Sequence, residues 1–200
     1  MNQTYNILDF ETTGLSPSLE RVIEVGAVKV EGGIVKAHFE SLINPGRIIP
    51  YQITQITGIT TAMVRTAPLA KDVFPSLLSF LGDDPIIAHN ASFDSRFFLA
   101  EAARVGGSPK NSFLCTLMLA RRLYPSLSSH SLENLCRHLS IERMNAHRAL
   151  SDVLMTHKLF VHICGEVKIK SSSEALNLDK LLALSQTPKA KVSEFLKKVT

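Results

Sequence analysis

Cysteine is scarce in this sequence. Its 200 residues include only three, Cys115, Cys136 and Cys164, and no two of them form a C-x-x-C pair. Cysteines scattered in this way argue against a disulfide framework and against a zinc site. The sequence therefore favours a reducing compartment, and we expect a cytoplasmic protein.

Long apolar runs are also missing. No stretch approaches the ~18 consecutive apolar residues of a membrane-spanning helix, and no charged-then-apolar leader precedes Asp9. We find no internal repeat, and low complexity is limited to a serine run at residues 171–173. These absences predict a soluble protein that has no membrane partner.

The composition is that of one globular core with a basic tail. Hydrophobic residues make up 45% of the chain, which is enough for one sizeable core. The formal net charge is +4, and residues 166–200, with seven lysines and four acids, supply +3 of it. A basic balance permits contact with nucleic acid, but solvated lysines on a tail give the same net charge.

The order of secondary-structure patterns predicts an α/β fold with a mixed sheet. Apolar runs at residues 5–10, 21–30 and 34–43 indicate three strands, and Glu31-Gly32-Gly33 predicts a tight turn between the last two. These strands form an antiparallel meander. A further short strand at residues 86–88 and a series of helical patterns follow, an alternation typical of α/β proteins.

Two carboxylates stand at the end of the first strand, in the segment ILDFETTGL, residues 7–15. Residues i and i+2 of a strand share a face, so Asp9 and Glu11 point to the same side of the sheet. Taken alone, such a pair is typical of a solvated strand end.

Two more segments place acids at the starts of helices. HNASFD, residues 89–94, carries Asp94 just inside a predicted helix, where the helix dipole alone favours an Asp by ~0.3 to 1 kcal/mol. HRALSD, residues 147–152, carries His147 and Asp152, which taken alone resemble ordinary surface residues. Together, however, the three segments bring their acids to strand ends and helix starts, where α/β folds form clefts.

Four converging carboxylates need protons or cations. Two like unit charges ~4 Å apart repel by about 4 kcal/mol at an effective dielectric near 20. Protonated acids are poor ligands, whereas Mg²⁺ or Mn²⁺ fits an all-carboxylate site that lacks cysteine. Two such ions about 3.5 to 4 Å apart form the known clamp for in-line phosphodiester displacement.

With these three motifs in this order, the sequence resembles the DEDDh (DnaQ-like) 3'-5' exonucleases, the family of the proofreading epsilon subunit and the exonuclease domain of bacterial DNA polymerase III. The likeness covers about residues 5–164, and the intervening TGIT (57–60) and CTLMLARRLYP (115–125) also look like this family. The resemblance implies a ribonuclease H-like fold, with a mixed central sheet of about five strands flanked by helices. It also implies an exonuclease domain at residues 1–165 and a basic helical extension at 166–200.

The resemblance also implies a role for each motif residue. Two divalent cations, Mg²⁺ or Mn²⁺, would be held by Asp9, Glu11, Asp94 and Asp152, with Asp9 bridging both. His147 would act as the general base on the attacking water. Six residues would contact the terminal nucleotide: Thr12, Thr13, Gly14, Leu15, Asn90 and Phe93. For Gly14 the alternative is a turn residue, and for Leu15 and Phe93 it is a place in the core.

The implied function is a metal-dependent 3'-5' exonuclease that releases nucleoside monophosphates from single-stranded or frayed 3' ends of DNA, in proofreading or repair. A 3'-5' exoribonuclease of the same family is the first alternative, because the motifs do not distinguish the sugar. A non-catalytic module that binds a polymerase is the second, although intact Asp9, Glu11, Asp94, His147 and Asp152 weigh against it. The tail either binds a polymerase subunit or packs on its own domain.

Overall fold

A central five-stranded sheet organises the part of the chain that the structure describes. This computed structural model describes residues 3–142, 148–173 and 175–198. The strands are β1 (Tyr5–Thr12), β2 (Val22–Glu31), β3 (Ile34–Leu42), β4 (Ile86–Ala88) and β5 (Phe113–Cys115). The helices are α1 (Tyr51–Thr57), α2 (Thr61–Val64), α3 (Ala70–Leu81), α4 (Ala91–Arg104), α5 (Thr116–Leu123), α6 (Leu132–His138), α7 (Ala149–Ser171), α8 (Leu178–Gln186) and α9 (Val192–Lys198).

The sheet is mixed, with strand order β3-β2-β1-β4-β5. β1, β2 and β3 are antiparallel, whereas β4 and β5 run parallel to β1. Gly32 and Gly33 form the turn between β2 and β3. Their φ angles are 58° and 81°, values that residues with a Cβ rarely adopt. The predicted meander and mixed sheet are confirmed, and β5 is the strand that the sequence pattern did not locate.

The alternation of side chains along β1 sends them into two cores. Leu8 and Phe10 pack against α3 and α4 on one face of the sheet. Tyr5 and Ile7 pack against α5, α7 and α8 on the other. Because the period of a strand is two, Asp9 and Glu11 continue the row of Tyr5 and Ile7 and lie on the α7 face.

The C-terminal segment packs on the same core. α7 continues without a break past residue 165, so the domain boundary expected there falls inside a helix. Leu178 and Leu181 of α8 and Leu196 of α9 are buried in the cluster that contains Ile7. Residues 166–198 thus contribute apolar surface to the fold. Among the described residues no helix is long and apolar enough to cross a membrane.

Candidate metal centre

Three of the predicted acids meet at one edge of the sheet. Asp9 and Glu11 come from the carboxyl end of β1, and Asp152 comes from the first turn of α7, where its backbone N–H donates to the carbonyl of Arg148 at 3.0 Å. One carboxylate oxygen from each of the three acids lies within 4.8 Å of the other two. We call Asp9, Glu11 and Asp152 the acidic cluster.

Asp94 lies beside the three acids of this cluster and approaches β1 from the other face of the sheet. It lies in the first turn of α4 and is 2% exposed. Its Oδ1 accepts a hydrogen bond from the backbone N–H of Phe10 at 3.2 Å, between the two acids of β1. This bond fixes the start of α4 against the end of β1, and so sets the position of Asp94 relative to Asp9.

Burial and mutual repulsion raise the pKa values of these acids. Burial first, and then the charges of Asp94, Glu11, Asp152 and Glu24, raise the pKa of Asp9 well above its usual range. Burial, together with Asp152 and Glu24, raises the pKa of Glu11 to about 8, although Arg148 opposes the shift. Burial raises the pKa of Asp94 to about 8 against two backbone hydrogen bonds that lower it. The cluster therefore keeps protons near neutral pH until a cation replaces them.

The donor set of the cluster fits a hard divalent cation. All of its groups are carboxylates, and their oxygens are near enough to one another to share an ion. Mg²⁺ and Mn²⁺ prefer such oxygen ligands, and a dication removes the repulsion that raises the pKa values. Asp9, Glu11 and Asp152 are the residues that would hold it, with Asp94 beside them.

An ion pair between the buried Glu24 and the partly exposed Arg148 positions the helix that carries Asp152. Glu24 of β2, directly opposite Glu11 in the sheet, is 0% exposed. Its Oε1 accepts hydrogen bonds from Nε and Nη2 of Arg148 at 2.9 and 2.7 Å. Its Oε2 accepts one from the backbone N–H of Ala149 at 2.9 Å. Charge-assisted bonds of this geometry are strong, so the first turn of α7 is held to β2.

Gly26 lets that helix approach the sheet. It lies opposite Asp9 on β2. A Cβ at this position would lie 2.4 Å from the backbone C of Ala149 and 2.4 Å from the N of Leu150. Sequence reasoning missed Glu24, Gly26 and Arg148. One signal was present, because a lone acid inside the apolar run RVIEVGAV is rarely buried without a partner.

The loop after β1 uses its threonines to hold its own shape. The hydroxyl of Thr12 donates to the carbonyl of Gly14 at 2.6 Å. The hydroxyl of Thr13 donates to Oε2 of Glu20 and accepts from the backbone N–H of Arg21. Leu15, at the tip, is 79% exposed and therefore not part of the core.

The start of α4 carries the other predicted nucleotide contacts. Asn90 is exposed and occupies the N-cap position in the left-handed region, with φ of 68°. Phe93 is partly buried and its ring packs 4.9 Å from that of Phe97. Contact of these residues with a nucleotide stays a prediction.

The structure describes His89 but does not describe His147. His89 bridges two elements: its Nδ1 lies 2.9 Å from Oγ1 of Thr116 and its Nε2 lies 3.0 Å from the carbonyl of His130. Burial lowers the pKa of His89 to about 4, so its ring is neutral at pH 7. His147, the predicted general base, lies outside the described residues, and its role stays a prediction.

Comparisons with known proteins agree on one family. A family model described as exonuclease matches residues 7–160. The chain is 36% identical over 171 residues to the DNA polymerase III subunit epsilon of Aquifex aeolicus, covering 85% of each protein. It is 40% identical over 174 residues to the PolC-type DNA polymerase III of Bacillus subtilis, covering 84% of this chain and 12% of the polymerase. The chain thus spans about an eighth of the PolC-type relatives.

Solved structures show the same fold. Exonuclease X in complex with 5' overhanging duplex DNA superimposes with a TM-score of 0.72 and 28% identity, covering 90% of this chain and 99% of that one. An ExoI-ssDNA complex from E. coli superimposes with a TM-score of 0.73 and 22% identity, covering 92% and 45%, which supports the fold alone. The predicted ribonuclease H-like fold is confirmed.

Proposed function

We propose, from the premise that the chain belongs to the exonuclease family, that it removes nucleotides one at a time from 3' ends of DNA by metal-dependent hydrolysis. The observation that carries the proposal is the convergence of Asp9, Glu11 and Asp152 within 4.8 Å. Ionised carboxylates at that distance repel one another strongly. Divalent cations relieve this repulsion, and such ions are the catalysts of phosphodiester hydrolysis in two-metal sites.

The acidic cluster would hold two divalent cations, Mg²⁺ or Mn²⁺. When bound, such ions supply Lewis-acid stabilisation of the phosphate and a water that ionises more readily than bulk water. Asp9 interacts electrostatically with Asp94, Glu11 and Asp152, which suits it as a ligand to both ions. Asp152 from α7 and Asp94 from α4 would complete the ligand set.

Residues outside the acidic cluster would accept the proton and contact the substrate. His147 would accept the proton of the attacking water, since the unperturbed pKa of histidine, ~6.5, suits a base near neutral pH. The exposed Leu15 would pack against the terminal base, on a loop kept rigid by the hydrogen bonds of Thr12 and Thr13. Gly14, Asn90 and Phe93 would border the same pocket.

The names of the similar proteins support DNA as the proposed substrate. They include subunits and domains of DNA polymerase III and an exonuclease bound to DNA. Association with a polymerase is proposed on the same ground. The cytoplasm is the proposed location, which the three free cysteines support.

Hydrolysis of 5'-labelled oligonucleotides tests the activity, its polarity and the choice of sugar. Single-stranded DNA and RNA of the same sequence are incubated with the chain in Mg²⁺ and, separately, in EDTA. We expect a ladder of shortened labelled DNA, with 5'-monophosphates released, in Mg²⁺ only. Faster shortening of RNA would favour the exoribonuclease alternative, and immediate release of the labelled end would contradict the 3'-5' polarity.

A pair of isosteric variants ties the activity to the cluster. Asp152→Asn removes one ligand charge and should abolish the ladder together with Mn²⁺ uptake measured by calorimetry. Asp179→Asn, at an exposed position in the first turn of α8, is the matched control and should change neither. Full activity in Asp152→Asn would contradict the metal-centre assignment.

A further inference from the structure

A second feature of the surface is a concave groove where the C-terminal segment meets α5 and α7. It has a volume of about 430 Å³. Its lining combines the cations Arg122, Lys170, Lys189 and Lys197 with apolar residues that include Val192 and Leu196. Of the described residues that line it, none is acidic. We call it the basic groove.

The walls of the basic groove are fixed by the fold. Nε of Arg122 donates to the carbonyl of Thr187 at 3.0 Å, which ties the end of α5 to the turn between α8 and α9. Val192 and Leu196 are 8% and 5% exposed and belong to the main hydrophobic core. The apolar wall of the groove is therefore built by packing, while exposed lysines supply most of its charge.

The three lysines of the groove, unlike Arg122, lack strong ion-pair partners among the described residues. Nζ of Lys170 lies 3.6 Å from Oε2 of Glu166 in a pair that remains 44% and 29% exposed, which is a weak interaction in water. Lys189 and Lys197 are exposed. Cations around a concave surface with apolar walls focus a positive potential, which attracts a polyanion.

The groove is connected to the acidic cluster through α5. The helix begins at Thr116, whose hydroxyl bonds the carbonyl of Ala88 at the end of β4. In its last turn Arg122 lines the basic groove, while Arg121 lines a neighbouring cavity of about 480 Å³ beside His89 and Asn90. Asn90 is the N-cap position of the helix that carries Asp94. Lys170 lies 18 residues after Asp152 on α7, which is about 27 Å along that helix, so a strand of several nucleotides would span the groove and the acidic cluster.

We propose that the basic groove binds the phosphate backbone of the DNA strand whose 3' end lies in the acidic cluster, several nucleotides upstream of that end. This inference rests on the proposed function. A single strand suits the site, since positively charged grooves with apolar walls track the backbone and accept sugars and bases of any sequence. The groove gives residues 166–198 a role in holding the substrate between successive cleavages.

The test measures binding of 5'-fluorescein-labelled dT12 and dT3 to the full chain in EDTA, by fluorescence anisotropy at several salt concentrations. The groove variant is Lys170→Ala, Lys189→Ala and Lys197→Ala combined; Arg122 is kept because it holds the turn before α9. The control combines Lys36→Ala, Lys110→Ala and Lys158→Ala, which lowers the net charge equally at exposed positions outside the groove. Melting temperatures confirm that both variants fold.

We expect the groove variant to bind dT12 at least about tenfold more weakly, with little change for dT3. The slope of log affinity against log salt should fall by roughly 2, because each phosphate contact with a single strand contributes about 0.7. The control variant should lose much less affinity and hydrolyse DNA at the normal rate. Equal losses in both variants, or a loss for dT3 as large as for dT12, would overturn the proposal.

Peptide binding and dinucleotide hydrolysis separate this proposal from a protein-binding groove and from failure of the proposed function. A glutamate-rich peptide that binds the chain and loses affinity in the groove variant, while dT12 does not, would overturn the proposal in favour of a protein partner. Hydrolysis of a DNA dinucleotide by the unaltered chain in Mn²⁺ tests the proposed function separately, because a dinucleotide is too short to reach the groove. No dinucleotide hydrolysis together with groove-dependent dT12 binding would reject the activity and keep the groove.

Discussion

Replacing Gly26 by alanine tests whether close contact between β2 and α7 sets the geometry of the acidic cluster. The added Cβ would lie 2.4 Å from two backbone atoms of Ala149 and Leu150 and 2.7 Å from the carbonyl oxygen of Ala149. Non-bonded carbon atoms prefer about 3.5 to 4.0 Å. The first turn of α7 must therefore retreat from the sheet by about 1 Å or more, since backbone atoms cannot rotate away as a side chain can.

This retreat should have two separable effects. Overpacking of this kind costs typically about 1 to 3 kcal/mol in the free energy of unfolding. Asp152 lies three residues after Ala149 on the same turn, so it moves away from Asp9 and Glu11. A misplacement of ~1 Å can cost about 10²-fold in rate, and we expect a comparable loss in the exonuclease assay together with weaker Mn²⁺ binding.

Gly165→Ala is the matched control, because it makes the same change within α7 itself. A Cβ there meets nothing within 4 Å. Alanine in a helix interior is favoured over glycine by roughly 0.5 to 1 kcal/mol, so this variant should be slightly more stable and fully active. Urea unfolding of the metal-free chains and calorimetric Mn²⁺ titration measure both effects. Gly26→Ala with unchanged stability would refute the steric argument, and lost stability with unchanged Mn²⁺ affinity would refute its link to the metal centre.

Three further predictions concern the titratable and charged residues of the protein. Burial raises the pKa values of Glu11 and Asp94 to about 8, so the folded metal-free chain binds more protons than the unfolded chain between pH ~4.5 and 8. Its melting temperature should therefore fall as the pH rises through that window, and saturating Mg²⁺ should remove most of the fall; a flat profile without metal would contradict the pKa shifts. Glu24→Ala removes the acceptor of the Arg148 and Ala149 hydrogen bonds and should lower the free energy of unfolding in urea by about 1 to 3 kcal/mol. An unchanged free energy of unfolding would show that these hydrogen bonds do not stabilise the fold. His147→Ala should lower the rate by about 10² to 10⁴ and abolish the limb of the pH-rate profile near 6.5; an unchanged profile would remove His147 from the base role.

The parts of the site that the sequence predicted are those with a local signature. Asp9 and Glu11 follow an apolar strand at a spacing of two, and that spacing alone puts both on one face of β1. The glycine pair at the β2–β3 turn is equally local, since positive φ at both positions is a property of the turn itself. Such features depend on neighbours within a few residues, and their physics is visible in the order of residue types.

The parts that sequence reasoning missed depend on partners far along the chain. Glu24 and Arg148 are 124 residues apart, and nothing near either one indicates that they form a pair. In the sequence Gly26 is an ordinary small residue, and only the structure shows that the backbone of α7 packs against it. Strand β5 is as short as β4, but it runs directly into α5 at Thr116, so no polar loop in the sequence marks its end.

By itself the sequence determined the chemistry of this protein: which acids it carries, on which strand and helix starts they lie, and the family to which their order belongs. Only the tertiary structure decided how near those acids come, which ion pair holds the start of α7 to the sheet, and where the basic tail packs. The reason is physical. Periodicity and turn propensity act between neighbours in the chain, whereas burial, repulsion and pKa shifts depend on distances in space that folding alone creates.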